Sequence, residues 1–246
     1  MKNDNEKKLK GEDDILKLND QEMNTLEYEQ AIIIDKRDFI QYYTSLIRKH
    51  QLILFTFFSS NDYNLITVKY SLFLLSFSLY LVINGFFFND ATMHKIYEKE
   101  NGSYNFIYQI PQILYSCAVS LPINILLKRL SLSQLSILKL KKEGKIDSAM
   151  ERGKNLKNSL YIKVLVFFIL SFILMSFFWY YISSFCAVYK NTQKILIEDT
   201  LISFGLSMIY PFAINLLPGI FRIYALKAPN KDKKCLYKFS VVLSLI

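Results

Sequence analysis

The sequence predicts an all-α membrane protein: four transmembrane helices, an N-terminal amphipathic interfacial helix, and a cytosolic helical hairpin between spans two and three. Three observations carry that prediction. Apolar residues make up 52% of the 246-residue chain and aromatics 15%. They bunch into four long runs, Ile66–Phe88, Phe106–Leu127, Val164–Cys186 and Leu201–Phe221, each about 30–35 Å long as a helix, which matches a hydrocarbon core. None of the runs contains Asp, Glu, Arg or His, and Lys69 alone intrudes, whereas a soluble core helix is shorter and keeps a polar face. Finally, Lys and Arg alternate between dense and sparse segments.

That alternation sets the topology. The connection Lys128–Lys163 holds ten basic residues. The tail after span four holds Arg222, Lys227, Lys231, Lys233, Lys234 and Lys238, and Lys36, Arg37, Arg48 and Lys49 precede span one. The other two loops carry only Lys95 and Lys99, then Lys190 and Lys194. By the positive-inside rule both termini and the middle connection face the cytosol. The net charge of +9 follows from this distribution, so no nucleic-acid partner is expected.

Taken in order, residues 1–24 are polar and acid-rich and are expected to be a disordered tail. Residues 25–64 form a helical, interfacial region, and residues 65–246 a four-span membrane domain with the hairpin at 128–163 and a basic tail at 222–246. A helix is expected to start near Asn24 or Thr25, either of which can cap it. From Asp35, Phe39, Tyr43, Leu46 and Ile47 share one helical face, and the flanking basic residues suit an anionic inner leaflet. The run "QLILFTFF" is too short to cross and is expected to lie in the interface or dip shallowly. The polar start "MKNDNEKKLKGEDD" leaves span one as the insertion signal. In the middle connection, "RLSLSQLSILKLKKE" is expected to prolong span two, Gly144 to end it, and Asp147 to cap a helix leading into span three.

Span two contains Gln109, Pro111, Gln112, Pro122 and Asn124; span four contains Pro211, Asn215 and Pro218; span one contains Asn84. Each proline frees a carbonyl one turn earlier, which in lipid needs a protein partner or trapped water. Intramembrane amides seek interhelical hydrogen bonds worth roughly 0.6–2 kcal/mol. Spans two and four are therefore expected to face protein, with Gly205 and Ser207 admitting a close neighbour, and span three to face lipid. Packing accounts for these residues, and so does a polar path along the kinks. The packing reading is preferred because the predicted spans hold no Asp, Glu, Arg or His, and Lys69 stands near the start of span one.

Modification and chemistry are sparse. Asn101 heads the single Asn-x-Ser/Thr sequon and is a candidate glycosylation site in the first outer loop, though chance also supplies one such triplet. Cys235, among lysines near the membrane, is a candidate for lipidation or a plain surface thiol. Cys117 and Cys186 read as packing residues. His50 and His94 fall on opposite sides of the predicted membrane, so a two-histidine metal site is not expected. Glu98 and Glu100 beside His94 read as a solvated loop. There is no phosphate loop and no nucleophile elbow. No catalytic, metal or cofactor residue is assigned, and no cofactor is expected.

The blocks "DKRDFIQYY", "NDATMHKIYE", "FIYQIPQILYS" and "KNTQKILIEDTLISFGLSMIYPFAINLLPGIFR" resemble a family of multi-pass membrane proteins from single-celled eukaryotes. The resemblance runs from about Leu26 to the tail. It implies a membrane domain and supplies no assigned chemistry, so no residue role carries over. The expectation is a non-enzymatic anchoring or assembly subunit whose partners are the bilayer, anionic inner-leaflet lipid and other membrane helices. The alternative is a subunit of an oligomeric channel or transporter lined by kinked spans two and four.

Overall fold

The computed structural model describes residues 18–60, 62–88, 90–99, 105–134, 136–138, 146–190, 192–227 and 233–244. Among them all regular structure is helical. Four helices are long and apolar enough to cross a bilayer: Ile66–Phe87, Phe106–Ser131, Gly153–Val188 and Gln193–Lys227. The chain falls into two compact units. A bundle unit comprises His50–Phe58 and Tyr63–Pro211; a terminal unit comprises Met1–Lys49, Ser59–Asp62 and Phe212–Ile246.

In the bundle unit, span one packs against both span two and span three. It is apolar nearly all round, as befits a central helix, and 56% of its apolar window is buried. A Cβ at Gly85 would come within 3.1 Å of the Tyr181 ring, so this glycine sets how closely spans one and three approach. Next to it Phe86 stacks on Tyr181, centroids 4.5 Å apart. Span three buries only 11% of its window, as its run of Phe, Leu, Ile and Val predicts. Apolar clusters fill the two ends of the bundle. One gathers Leu81, Phe88, Met93, Phe185 and Leu196, the other Phe55, Val68, Leu72, Leu75 and Phe167.

Two local expectations need correction, at the end of span two and at Gly205. Span two does not run on through the basic connection: its helix ends at Ser131. The side chain of Asn64 then accepts the backbone N–H groups of Ser133 and Gln134 at 3.2 and 3.3 Å, capping a fresh turn and holding the break. The hairpin's turn, including Gly144, lies outside the described residues, while the helix entering span three is continuous from Ile146 to Val188. The run "QLILFTFF" is drawn partly into the bundle. Its Leu54–Phe58 segment is a π-helical turn that buries Phe55 beneath the ammonium groups of Lys69 and Lys128, 5.0 and 4.3 Å from the ring centre. Gly205, expected to admit a close neighbour, would meet nothing within 4 Å if it carried a Cβ.

Span four is one helix interrupted once. Gln193–Ile214 continues through Pro211, and Leu216–Lys227 resumes after Asn215. The cause is Pro218, which lacks the N–H for the Ile214 carbonyl and whose ring clashes with it. Pro218 itself sits in the first turn of the resumed helix, where a proline is tolerated.

The terminal unit packs the helices Asp20–Asn24, Tyr28–Ile34 and Phe39–His50 with Leu216–Lys227 and Lys233–Leu243. Of the tail read as disordered, residues 1–17 lie outside the described residues. Asp20–Asn24 is a helix, closed by a capping box between Asn19 and Glu22. The next helix starts at Tyr28, without a side-chain cap. Phe39–His50 is helical as expected, but its apolar face is covered by the chain itself. Leu46 and Ile47 are buried, Phe39 fills the space above Gly219, and the Tyr43 hydroxyl donates to the Phe212 carbonyl at 2.8 Å.

Candidate functional site

A helix in lipid does best with its polar residues turned inward, because only protein or trapped water can satisfy them there. Span two follows this rule. Gln109, Gln112, Ser116 and Ser120 are buried, spaced three and then four residues apart along one face, whereas Ile107, Tyr108, Leu114 and Tyr115 are exposed. Span one buries Ser76, Tyr80 and Asn84 at four-residue steps. Span four buries Asp199, Thr200 and Ser203. These rows form a polar seam within the bundle unit.

The seam is joined by hydrogen bonds between spans. The Asn84 amide donates to Ser203 Oγ at 2.8 Å and to Thr200 Oγ1 at 3.5 Å, and also to its own helix at the Tyr80 carbonyl, 2.9 Å. The Gln112 amide donates to Asp199 Oδ2 at 3.2 Å, and the Cys117 thiol donates to the Ser203 carbonyl at 3.3 Å. Thr200 and Ser203 give their own hydroxyl protons to the Leu196 and Thr200 carbonyls at 2.7 and 3.1 Å, so toward Asn84 they act as acceptors. The carbonyl oxygen of Asn84, by contrast, is buried without a donor. Ser116 Oγ, Ser120 Oγ and the Tyr80 hydroxyl are also buried with no hydrogen-bond partner.

Asp199 corrects the sequence reading most directly. A span taken to start at Leu201 leaves this carboxylate outside, but the helix begins at Gln193. Asp199 therefore lies in its second turn, fully buried. Besides Lys69, a second ionisable group is therefore buried in a helix long and apolar enough to cross a bilayer, a feature that often marks a functional position.

A second charged cluster stands in the terminal unit. Arg222, one residue past the predicted end of span four, is fully buried. Its Nε and Nη2 donate to Asp35 Oδ2 at 3.1 and 2.8 Å, while Nη2 and Nη1 donate to the Met23 and Asn24 carbonyls at 2.7 and 3.3 Å. The guanidinium lies over the Tyr42 and Tyr237 rings, each 4.8 Å away. Arg37 Nε donates to Asp35 Oδ1 at 2.8 Å, and its Nη2 to Oδ2 at 2.9 Å. Burial would raise the Asp35 carboxyl, but Arg37 and then Arg222 outweigh it and hold it below the usual carboxylate value. Both oxygens of the Asp35 carboxylate thus accept from a guanidinium, as a structural lock requires.

The remaining candidates do not gather. Asn124 is half-buried in span two, and Asn215 is buried in the terminal unit at the break in span four; Asn84 finds its partners elsewhere. Pro111 and Pro122 sit within an unbroken helix. His94 Nε2 pairs with Glu98 at 2.9 Å, both largely exposed. Cys235 is exposed. Asn101 and Glu100 lie outside the described residues. The serine stripe Ser116–Ser120 went unread because serine is common in membrane helices. Its spacing continued that of Gln109 and Gln112 and was the available signal.

Compared with known protein families, curated proteins and solved structures, the chain matches none of them.

Proposed function

We propose that the chain is a non-enzymatic membrane subunit that anchors or assembles partner helices, with both termini in the cytosol and its basic connection and tail set against anionic lipid. The supporting observation is the outward face of span three. Phe172, Phe177 and Tyr180 are 75%, 66% and 74% exposed on a helix that buries almost none of its apolar surface, while the polar groups of the bundle turn toward one another. A surface of that kind is suited to lipid or to another helix. The resemblance to multi-pass membrane proteins of single-celled eukaryotes agrees with such a role.

The test is the mass of the purified chain in mild detergent, read by light scattering with the detergent contribution subtracted. A homo-oligomer or a stoichiometric complex supports the reading; a bare monomer that cross-links to nothing removes it. Cysteines placed at Lys139 and Asn101 should label from opposite sides of the membrane.

A second reading, an oligomeric channel or transporter, draws on the seam between spans two and four. Reconstitution in planar bilayers decides it, because membranes that stay silent under varied ions and voltage exclude a conduit.

A further inference from the structure

We propose that the face shared by the helices Leu216–Lys227 and Lys233–Leu243 docks on the headgroup region of an anionic bilayer leaflet. The docking rests on the reading that sets the tail against anionic lipid, and it names the surface responsible. The C-terminal helix spends one side on its own unit, where Tyr237 and Ser240 are buried and the Tyr237 ring meets Tyr28, centroids 5.3 Å apart. A helix packed this way in water turns polar residues outward. This one does not. Cys235 is exposed, and Phe239 and Val242 are each at least half exposed; steps of four and three residues put all three on one stripe. On the neighbouring helix Leu217, Ile220 and Tyr224 are likewise at least half exposed, at steps of three and four. The Phe239 ring meets Phe221, centroids 5.7 Å apart, and the Lys233 ammonium lies 4.1 Å from the centre of the Tyr224 ring. Each stripe therefore borders the seam between the two helices.

Charge selects the occupant. Neither helix contains an acidic residue. Lys227 follows Tyr224 at the end of its helix, Lys233 and Lys234 open the next, and Lys238 flanks Phe239. Lys234 is paired with Glu29, so Lys227, Lys233 and Lys238 carry the charge toward phosphate. An apolar stripe edged by lysines and a tyrosine suits an anionic interface, with aliphatic stems along the apolar surface and ammonium groups at the headgroups. A second copy of the same face would set lysine against lysine, and a neutral partner helix would bury the ammonium groups without a counter-charge. Near an anionic leaflet each lysine instead contributes about fivefold to the docking equilibrium.

The experiment uses the full chain, one per nanodisc, in phosphatidylcholine alone or with about one-third phosphatidylserine. A bimane on Val242→Cys, combined with Cys235→Ser, is quenched by acrylamide from water and by brominated acyl chains from lipid; the Cys235→Ser chain alone is the blank. The expected result with phosphatidylserine is at least about threefold less acrylamide quenching, together with quenching by brominated lipid. Lys227→Gln, Lys233→Gln and Lys238→Gln combined should remove the response to phosphatidylserine. If that variant does not fold, about 1 M salt on the parent screens the same charges and should do likewise. A label that stays open to acrylamide in both lipids overturns the proposal, and so does equal protection in both. Protection that appears only when two chains share a disc also overturns it, by assigning the face to a second copy. An oligomer whose label stays in water removes the docking and leaves the anchoring reading standing; a bare monomer with a protected label does the reverse.

Discussion

Arg222 Nη2 and Asp35 Oδ2 meet at 2.8 Å across 187 residues of sequence, with side chains 0% and 2% exposed. This contact joins the end of span four to the N-terminal helices, and the two tyrosine rings exclude water from it. A buried ion pair is expensive unless every remaining donor and acceptor is filled. Here Met23, Asn24 and Arg37 supply further partners.

Removing one partner should therefore cost far more than removing both. Arg222→Met is expected to destabilise the terminal unit by about 3–5 kcal/mol, by leaving a buried carboxylate unpaired. Arg222→Lys keeps the charge but loses the fork and is expected to cost about 1.5–3 kcal/mol. Asp35→Leu combined with Arg222→Met should recover most of the loss. Protease resistance of the N-terminal helices during thermal unfolding in detergent measures all three. Equal stability of the single and double variants would contradict the buried pair.

Stability should depend on pH in two separate windows. Asp35 has a lowered folded pKa, because Arg37 and Arg222 together outweigh its desolvation. Its contribution is complete above the unfolded value near 3.8 and is lost as pH falls through the folded value. Lys49, whose ammonium donates to the Ser244 carbonyl, is pulled by desolvation from 10.5 to about 8. Between those values the unfolded chain binds more protons, so stability rises as pH increases. Tyr237, pushed up to about 12 by burial, opposes that gain once pH passes about 10, where an unfolded tyrosine ionises. Unfolding scans from pH 3 to pH 10 should fall at the acid end and climb above pH 8. Asp35→Asn should flatten the acid limb, and Lys49→Met the alkaline one.

The glycines should respond unequally. A methyl at Gly219 would stand 2.8 Å from Phe39, whose ring is stacked on Tyr43 at 5.7 Å and cannot readily retreat. Gly219→Ala is expected to cost about 1–3 kcal/mol through overpacking. Gly205→Ala meets open space and should be neutral, or stabilising by about 0.5–1 kcal/mol from helix propensity. Thermal unfolding of the two variants side by side checks the order, and reversal would refute the contact at Phe39.

Ser116 and Ser120 bury hydroxyls that find no partner. An orphaned buried hydroxyl costs about 1–3 kcal/mol, so Ser116→Ala and Ser120→Ala should leave stability unchanged or raise it. A marked loss in either variant would mean that its hydroxyl is bonded in the membrane.

Four apolar helices were legible because a run such as Ile66–Phe88 can hardly be anything else. That span three buries little of its own apolar surface was legible for the same reason. The charged ends of span four were not. Composition trims a span where charge begins, but a helix stops where its hydrogen bonding stops, so Asp199 and Arg222 were assigned to water when both are buried. Asn84 and Gln112 were expected to seek interhelical partners, and each donates to span four. Their pairing with Thr200, Ser203 and Asp199 rather than with Asn124 or Asn215 depends on helix rotation, which no single sequence exposes. A helix after Asp35 was expected from its spacing, and Phe39–His50 is one. That its apolar face is taken by Gly219 and Phe212 required tertiary contacts separated by well over a hundred residues.

The helix Ile146–Val188 runs 43 residues without interruption, a rod of about 65 Å. Tilted as steeply as membrane helices go, it still exceeds a hydrocarbon slab of about 30 Å by some 20 Å. That surplus reaches at least into the headgroup layers, which bring the bilayer to about 40–45 Å, and the Lys163 ammonium ties the rod to the Leu132 carbonyl at 2.7 Å. A pull on its first turns would be carried straight down into the bilayer.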